Sequence, residues 1–207
     1  MKKFFKIMAL AMSFVILFCS CGGSSENETT TSPAEVGDAA HSQVKFTMEN
    51  GGSFIVELYP EYAPITVDNF IDLVSEGFYD GLTFHRVVED FMAQGGDPEG
   101  TGMGGSDKSI KGEFSINGHT SNTLSHTRGV ISMARSSDYN SASSQFFICY
   151  GDATFLDGQY AAFGKVIEGM EVVDSFLEVE RVFGSDGAQS RPVEPIVIEK
   201  AEVIAGA

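Results

Sequence analysis

Residues 44–58 read VKFTMENGGSFIVEL, two alternating segments on either side of Asn50-Gly51. Alternation of apolar and polar residues with a period of two predicts strands that bury one face. An Asn-Gly pair tolerates the positive φ angles that a tight turn requires. The stretch therefore predicts a β-hairpin whose buried side carries Val44, Phe46, Met48, Phe54, Val56 and Leu58.

A helix is predicted directly after this hairpin. Thr66 is a candidate N-cap, and Gly77 follows the last turn, where a left-handed residue commonly ends a helix. Between them, the apolar residues keep the i, i+3, i+4, i+7 spacing of one helical face: Val67, Phe70, Ile71 and Val74. A second, shorter helix is predicted at residues 170–177.

The rest of the chain alternates short apolar runs with glycine-rich turns. The runs occupy residues 82–88, 91–93, 130–134, 146–150, 161–166 and 196–204. Many short strands with only two helices predict a mainly β fold, a closed antiparallel barrel, rather than a parallel α/β sheet.

Length and composition indicate one globular domain with an appendage. The chain has 207 residues, of which 43% are hydrophobic and 20% are charged, a globular balance. Its 13 Lys and Arg residues against 29 Asp and Glu residues give a formal charge of −16. Such a surface repels phosphates, so nucleic acid is not a predicted partner. Three cysteines exclude a disulfide framework.

The N-terminus has the pattern of an export signal. Three lysines within the first six residues precede a 12-residue apolar run at residues 7–18, which is short for a transmembrane helix. The run leads to Ser20-Cys21. This pair resembles the bacterial lipobox, in which a small residue precedes the cysteine that receives a diacylglyceryl group. An uncleaved signal anchor and ordinary secretion are the alternatives.

This pattern divides the chain into three parts. Residues 1–20 are the predicted lipoprotein signal peptide, and Cys21 is the predicted lipidation site. Residues 21–43 are small, polar and aperiodic, so they bury too little apolar surface to offset chain entropy and are predicted to form a flexible tether. Residues 44–207 are the predicted folded domain, held by the lipid in the cell envelope on the non-cytoplasmic side of the membrane.

Two motifs suggest a ligand but lack the context that their chemistry needs. Residues 100–105 match G-x-G-x-x-G, yet no strand precedes them and no helical period follows. A loop is therefore predicted instead of a nucleotide site. His85, Glu89 and Asp90 could bind a metal, but residues spaced four apart do not converge in a strand. No metal and no cofactor are predicted.

Nucleophilic chemistry is also disfavoured. Ser132, Ser143 and Ser144 lie among apolar residues, but there is no G-x-S-x-G elbow and no His/Asp pair is evident nearby. Cys149 lies within a five-residue apolar run and is interpreted as a small buried thiol.

Four separated blocks resemble the cyclophilin-type peptidyl-prolyl isomerases. They contain FHRVV (84–88) with FMAQGGD (91–97), GVISMA (129–134) with SSQFFI (143–148), FLDG (155–158), and FGKV (163–166). The resemblance implies an eight-stranded antiparallel barrel closed at its ends by two α-helices, which agrees with the strand pattern above.

The same resemblance implies roles for individual residues. Arg86 matches the family's catalytic arginine, and Gln94 matches the glutamine that hydrogen-bonds the substrate backbone. The walls of the proline pocket are implied to be Phe91, Met92, Phe147 and Leu156. The substrate groove is implied to run beside Ala134, Arg135 and Gln145. Taken alone, Arg86 would be an ordinary strand arginine, and the apolar residues would be barrel core.

The chain departs from many family members at two positions. Phe155 and Tyr160 stand where tryptophan and histidine are common, and both substitutions resemble bacterial members. Phe155 lacks the indole N–H donor, whereas Tyr160 keeps an aromatic wall with a hydrogen-bonding tip. We therefore expect isomerase activity together with weakened binding of cyclosporin-like inhibitors.

The leading hypothesis is a monomeric, lipid-anchored peptidyl-prolyl cis-trans isomerase. It would act on proline-containing segments of exported polypeptides and assist their folding outside the cytoplasmic membrane. A binding module or holdase that grips such segments without relevant turnover is the second hypothesis, and the intact Arg86 and Gln94 favour the enzyme. A lipoprotein that binds a small solute is the third, and the absence of a second lobe argues against it.

Overall fold

The structure is a computed structural model that describes residues 41–204. The predicted signal peptide, Cys21 and nearly all of the predicted tether lie outside the described residues. Within residues 41–204, no helix is long and apolar enough to cross a membrane.

Ten strands and two α-helices form the described part of the chain. The strands are β1 (Gln43–Met48), β2 (Ser53–Leu58), β3 (Thr83–Val88), β4 (Met92–Asp97), β5 (Val130–Met133), β6 (Phe146–Cys149), β7 (Ala162–Glu168), β8 (Arg181–Phe183), β9 (Gln189–Pro192) and β10 (Ile198–Ile204). The helices are α1 (Pro64–Ser75) and α2 (Met170–Ser175). Eight strands make one antiparallel sheet in the order β10-β1-β2-β7-β5-β6-β4-β3, and β8 pairs with β9 separately. The predicted mainly β fold with two helices is confirmed.

The predicted hairpin is present as β1 and β2. The six side chains assigned to its buried side are all buried. The turn is a type I turn closed by a left-handed glycine: Gly51 has φ +85° and donates its N–H to the carbonyl of Met48 at 2.8 Å. Asn50 keeps a negative φ and instead accepts the N–H of Gly52 on its side chain. Only the glycine uses the left-handed region.

The sheet curls until its two edges touch, but it closes less completely than predicted. β3 meets the residue just before β10 at one bridge, between Thr83 and Val197, rather than pairing with β10 along a ladder. Main-chain bonds from Phe84 to Ile196 (2.9 Å) and from Ile198 to Leu82 (2.8 Å) flank it. Pro195 lies two residues before Val197. It has no main-chain N–H, so it cannot donate a further hydrogen bond to β3. The barrel predicted to be closed is therefore a curled sheet whose two edges join at a single bridge.

Helix α1 begins three residues earlier than expected, and its capping side chain comes from elsewhere in the chain. Ala63, not Thr66, is the N-cap residue. The carboxylate of Glu113 accepts the main-chain N–H groups of Ile65 and Thr66 and also the Thr66 hydroxyl. A carboxylate on these free donors satisfies them and complements the positive end of the helix dipole. Gly77 ends the helix in the left-handed conformation, as predicted.

The second predicted helix is also present. Helix α2 covers Met170–Ser175, and a turn of 3₁₀ helix at Phe176–Glu178 continues it. The two elements together span the predicted residues 170–177.

Two hydrophobic clusters lie on opposite faces of the strands. The main core fills the interior of the curled sheet and includes the stacked rings of Phe46 and Phe54, 4.9 Å apart. The smaller cluster is built on alternate residues of β4 and β6, which point the other way. Its buried members are Met92, Phe147, Cys149, Ala153 and Leu156. The predicted pocket residues therefore form a cluster separate from the main core.

Candidate active site

Three neighbouring strands align the central side chains of the site. Arg86 of β3 lies opposite Gln94 of β4, and Gln94 lies opposite Phe147 of β6. Residues that face each other across an antiparallel ladder share one face of the sheet. Met92 is two residues from Gln94 and shares that face as well. The sheet register thus places a cation, an amide and two apolar side chains in one patch.

A cavity of about 170 Å³ opens beside this patch. It is lined by nine of the predicted site residues: Arg86, Phe91, Met92, Gln94, Ala134, Arg135, Phe147, Leu156 and Tyr160. The Phe147 ring packs edge-on against Tyr160, with 6.0 Å between centroids. Five of the nine lining residues are apolar, and Tyr160 adds an aromatic ring, so the cavity can receive a small ring with polar groups beside it.

A chain of polar contacts runs from Arg86 across the groove. Arg86 Nε donates to Asp186 Oδ2 at 2.7 Å, and Nη1 donates to Gln94 Oε1 at 3.3 Å. Gln94 Nε2 donates to Gln145 Oε1 at 2.8 Å, and Gln145 Nε2 donates to the Gly104 carbonyl at 2.7 Å. Each side-chain amide is therefore oriented by its neighbour, and the guanidinium is held at one end of the chain.

Gln145 lies in a second cavity, of about 240 Å³, that adjoins the first. Gln94, Ala134 and Arg135 line both cavities. The Ala134 N–H donates to the Gln145 carbonyl at 2.9 Å, which fixes the main chain between the two cavities. The arrangement is a groove of two adjoining cavities, the first walled by Phe147 and Leu156 and the second containing Gln145.

Arg135 is engaged by the protein itself. Its Nε and Nη2 donate to the Gln159 carbonyl at 3.2 and 2.9 Å, and Nη1 donates to the Ser136 carbonyl. Its Cζ lies 4.5–5.1 Å from the ring centroids of three aromatic residues, Phe114, Tyr139 and Tyr160. Arg135 thus clamps the Tyr160 wall, and Arg86 is the cation of the groove that faces acidic and amide partners.

Phe155 lies at the rim rather than in the cavity. Its ring is 65% exposed and packs on Phe91 with 5.6 Å between centroids. Leu156, the next residue, turns inward on a 3₁₀ turn at Thr154–Leu156 and lines the cavity. Position 155 can therefore touch a bound ligand that extends beyond the cavity.

Behind Phe147 lies a buried serine–histidine–aspartate chain. His126 Nε2 is 2.9 Å from Ser132 Oγ, and His126 Nδ1 is 2.8 Å from Asp157 Oδ1. The expectation that no His/Asp pair lies near Ser132 was wrong, because the fold brings the pair in from other segments. Ser132 and His126 have no exposed surface, and the His126 ring stacks on Phe147 with 6.0 Å between centroids. The three hydrogen-bonded side chains support the Phe147 wall of the cavity, and Ser132 and His126 are too buried to contact a substrate.

The glycine-rich loop at residues 100–105 uses its own N–H groups. The Asp97 carboxylate accepts from the main-chain N–H of Glu99, Thr101 and Gly102, at 2.8, 2.9 and 2.6 Å. Burial would raise the pKa of Asp97, but these hydrogen bonds outweigh it and lower the pKa. An internal carboxylate thus uses the loop N–H groups that binding of a phosphate would require.

Of the candidate nucleophiles singled out above, Ser132, Ser144 and Cys149 are buried, and the Ser143 hydroxyl, which lines the second cavity, has no histidine hydrogen-bonded to it within residues 41–204. Burial raises the pKa of the Cys149 thiol to about 12, which keeps it protonated. Within residues 41–204, no group of three His, Cys, Asp or Glu side chains is placed to hold a metal ion. What the site offers is shape, apolar side chains and the guanidinium of Arg86, oriented by Asp186 and Gln94.

Two supporting groups could not be found from the sequence. Asp186 lies 100 residues from Arg86, at the tip of the β8–β9 hairpin, which was not predicted. Tyr139 contacts Arg135 and packs edge-on against Phe114, and it lies outside the blocks that carry the family resemblance. Short-range patterns carry no signal for either contact.

Comparison with known proteins agrees with this geometry. Residues 43–203 match the family model of the cyclophilin type peptidyl-prolyl cis-trans isomerase. The chain is 44% identical over 151 residues to the peptidyl-prolyl cis-trans isomerase ppi1 of Schizosaccharomyces pombe, covering 72% of this chain and 92% of that protein. It is 48% identical over 126 residues to peptidyl-prolyl cis-trans isomerase B of Bacillus subtilis, covering 61% of this chain and 84% of that protein.

Solved structures are similar as well. A cyclophilin type peptidyl-prolyl cis-trans isomerase of Cryptosporidium parvum superposes with a TM-score of 0.70 at 28% identity, covering 81% of this chain and 99% of that one. A structure of the same protein in the presence of the dipeptide Ala-Pro superposes with a TM-score of 0.68 at 30% identity, covering 79% of this chain and 99% of that one.

Proposed function

Because the chain belongs to the cyclophilin-type family and is a peptidyl-prolyl cis-trans isomerase, we propose that it acts on exported polypeptides outside the cytoplasmic membrane. A lipid on Cys21 would hold it at the non-cytoplasmic face. The observation that carries this proposal is the N-terminal sequence, a basic start, a short apolar run and Ser20-Cys21.

The proposed chemistry begins with binding of the substrate. The 170 Å³ cavity receives the proline ring, with Phe147 and Met92 as apolar walls. Gln94 hydrogen-bonds the peptide main chain beside it. Holding the ring and one side of the chain confines rotation to the X-Pro bond.

Arg86 acts on the twisted amide. Rotation about a peptide bond faces a barrier of about 18–20 kcal/mol, because the planar amide is stabilised by resonance. At the top of this barrier the prolyl nitrogen has a free lone pair, which a guanidinium N–H can meet. That hydrogen bond does not form with the planar ground state, so it lowers the barrier selectively. The apolar cavity reduces the local dielectric and strengthens it.

The proposed location and the tether define which polypeptides the domain would reach. At an X-Pro bond the uncatalysed exchange takes about 10–100 s, long enough to delay a polypeptide that folds after export. A net charge of −16 disfavours attachment of the protein surface to anionic lipid, so the lipid on Cys21 would supply the membrane affinity. Residues 21–43 would let the domain reach clients at a distance from the membrane.

Fractionation of bacteria that produce the full chain tests the location. The wild type should partition into the detergent phase, incorporate labelled fatty acid and be digested by protease added outside the cytoplasmic membrane. Cys21→Ala should lose the fatty acid label. Cys19→Ala is the matched control and should keep it. Mature membrane-bound protein that still begins at Met1, or labelled Cys21→Ala, would contradict the proposal.

A further inference from the structure

We propose that Asp186 is a positioning residue for Arg86, which it reaches from the tip of the β8–β9 hairpin. The inference deepens the proposed function and rests on the role of Arg86 in the isomerisation. Arg86 Nε donates to Asp186 Oδ2 at 2.7 Å. This distance lies at the short end of the range for charge-assisted N–H···O bonds. The two residues are 100 positions apart in sequence, so only the fold creates this contact.

Hydrogen bonds within the hairpin also hold Asp186 in place, independently of Arg86. Its Oδ1 accepts the Ser190 hydroxyl at 2.8 Å and the Ala188 N–H at 3.0 Å. Ser190 is buried in β9. The tip is closed by the Gly184 N–H, which donates to the Ala188 carbonyl at 2.8 Å. The second carboxylate oxygen therefore has a defined position from which to hold the guanidinium.

The contact is partly shielded from water. The side chains of Arg86 and Asp186 are 32% and 21% exposed. Burial would raise the pKa of Asp186, but the hydrogen bonds from Arg86, Ser190 and Ala188 outweigh it and lower the pKa to about 2. Asp186 therefore carries its charge throughout the neutral range, and the ion pair is present wherever isomerisation is measured.

The remaining contacts of Arg86 explain why one carboxylate can set its geometry. A guanidinium is planar and carries five N–H donors. Asp186 takes the one on Nε, and Nη1 donates to Gln94 Oε1 at 3.3 Å and to Met92 Sδ at 4.0 Å. Within residues 41–204, no protein acceptor hydrogen-bonds Nη2. Asp186 is the one charged partner among these three contacts, and Nη2 stays available for the substrate.

The hairpin has its own supports, so removing the carboxylate should leave it folded. β8 and β9 are paired from Arg181 with Pro192 to Phe183 with Gln189. The Val193 N–H donates to the Glu180 carbonyl at 2.8 Å, and the Arg181 side chain donates to the Leu177 carbonyl. The loss expected from a variant of Asp186 is one of orientation at Arg86, not of structure.

The test compares Asp186→Asn and Asp186→Ala with a matched control, in the full chain purified in detergent. Asp174→Asn removes a similar pair, because Asp174 Oδ2 accepts from Arg128 Nη2 at 2.6 Å and neither residue lines the groove. Turnover of an X-Pro peptide should fall about 10-fold to 100-fold in kcat for both Asp186 variants. KM should stay within about twofold, and Asp174→Asn should match the wild type.

A double-mutant cycle then distinguishes positioning from a general effect on the fold. In the Arg86→Ala background, Asp186→Asn should change the residual turnover by less than about twofold, because its target is gone. NMR exchange at high enzyme concentration measures that slow turnover. Full kcat in Asp186→Asn, or an equal loss in the Arg86→Ala background, would overturn the inference. Full turnover in Arg86→Ala alone would instead overturn the proposed role of Arg86.

Discussion

The Nδ1 atom of His126 lies 2.8 Å from Oδ1 of Asp157, and the same carboxylate oxygen accepts the His126 main-chain N–H at 2.8 Å. The other oxygen accepts the Ser125 hydroxyl at 2.6 Å. Burial lowers the pKa of His126 in spite of the nearby carboxylate. A neutral ring that donates from Nδ1 to Asp157 and accepts at Nε2 from Ser132 satisfies all of these contacts. Asp157 thus holds the ring that backs Phe147.

Asp157→Ala should destabilise the domain by about 1–3 kcal/mol, because it leaves buried donors of His126 without an acceptor. Urea unfolding followed by far-UV circular dichroism measures the change. Asp152→Ala is the control, since Asp152 is exposed and makes no side-chain hydrogen bond within residues 41–204. Equal stability of the two variants would contradict the role given to Asp157.

Arg86→Ala should reduce kcat/KM for an X-Pro peptide by about 10²-fold to 10³-fold, the usual effect of removing a preorganised donor to the transition state. A protease-coupled assay measures it. Arg128→Ala is the matched control, because Arg128 is also paired with an aspartate but lies outside the groove. A native circular dichroism spectrum with undiminished turnover would show that Arg86 does not act on the amide.

Phe155→Trp should strengthen inhibition by cyclosporin by roughly one to two orders of magnitude. The indole N–H restores one hydrogen bond, worth about 1–3 kcal/mol when the acceptor is otherwise unpaired. Turnover should change far less, because residue 155 lies at the rim and does not line the cavity. Titration of both forms with the inhibitor decides the matter. The same inhibition constant in both would show that position 155 does not control this affinity.

Acidification should lower the free energy of unfolding already at pH values above those at which the carboxylates titrate. Burial lowers the pKa of both His85 and His126 below the ordinary value of 6.5. As the pH falls below about 6.5, the unfolded chain binds protons at these positions that the folded state does not bind. The free energy of unfolding should therefore decrease from pH 7.5 to pH 5.5. Urea unfolding at the two pH values measures this.

The control for that measurement is His85→Asn, which removes one of the two titrating rings. The difference in stability between pH 7.5 and pH 5.5 should be smaller in this variant than in the wild type. A wild type that is equally stable at both pH values, or more stable at pH 5.5, would contradict the prediction.

The sequence predicted the features that depend on interactions between residues close together in the chain. The hairpin at residues 44–58 could be predicted because alternation and a left-handed glycine act within a few residues. The cap of α1 could not, since Glu113 lies 47 residues from Thr66 and accepts the main-chain N–H groups of Ile65 and Thr66. A side chain from a distant segment can replace a local cap because the unpaired N–H groups can donate to any well-placed oxygen.

The candidate site divides in the same way. The family resemblance located the residues that line the cavity, but it left their supports unidentified. Asp186 approaches Arg86, and Asp157 approaches His126, only after the sheet has curled. A pair of oppositely charged or hydrogen-bonding residues separated by 31 or 100 positions has no periodicity for a sequence pattern to reveal.

The pairing of β1 with β10 has a consequence for the order of events during synthesis. β1 lies between β2 and β10, so the first strand to leave the ribosome takes half of its main-chain partners from the last one. Until residues 198–204 emerge, the sheet has an open edge and the domain lacks its seal at Val197. Contacts this distant in sequence form late in folding. Under the proposed export, a targeting machinery that reads residues 1–20 would meet the domain while its chain is still incomplete.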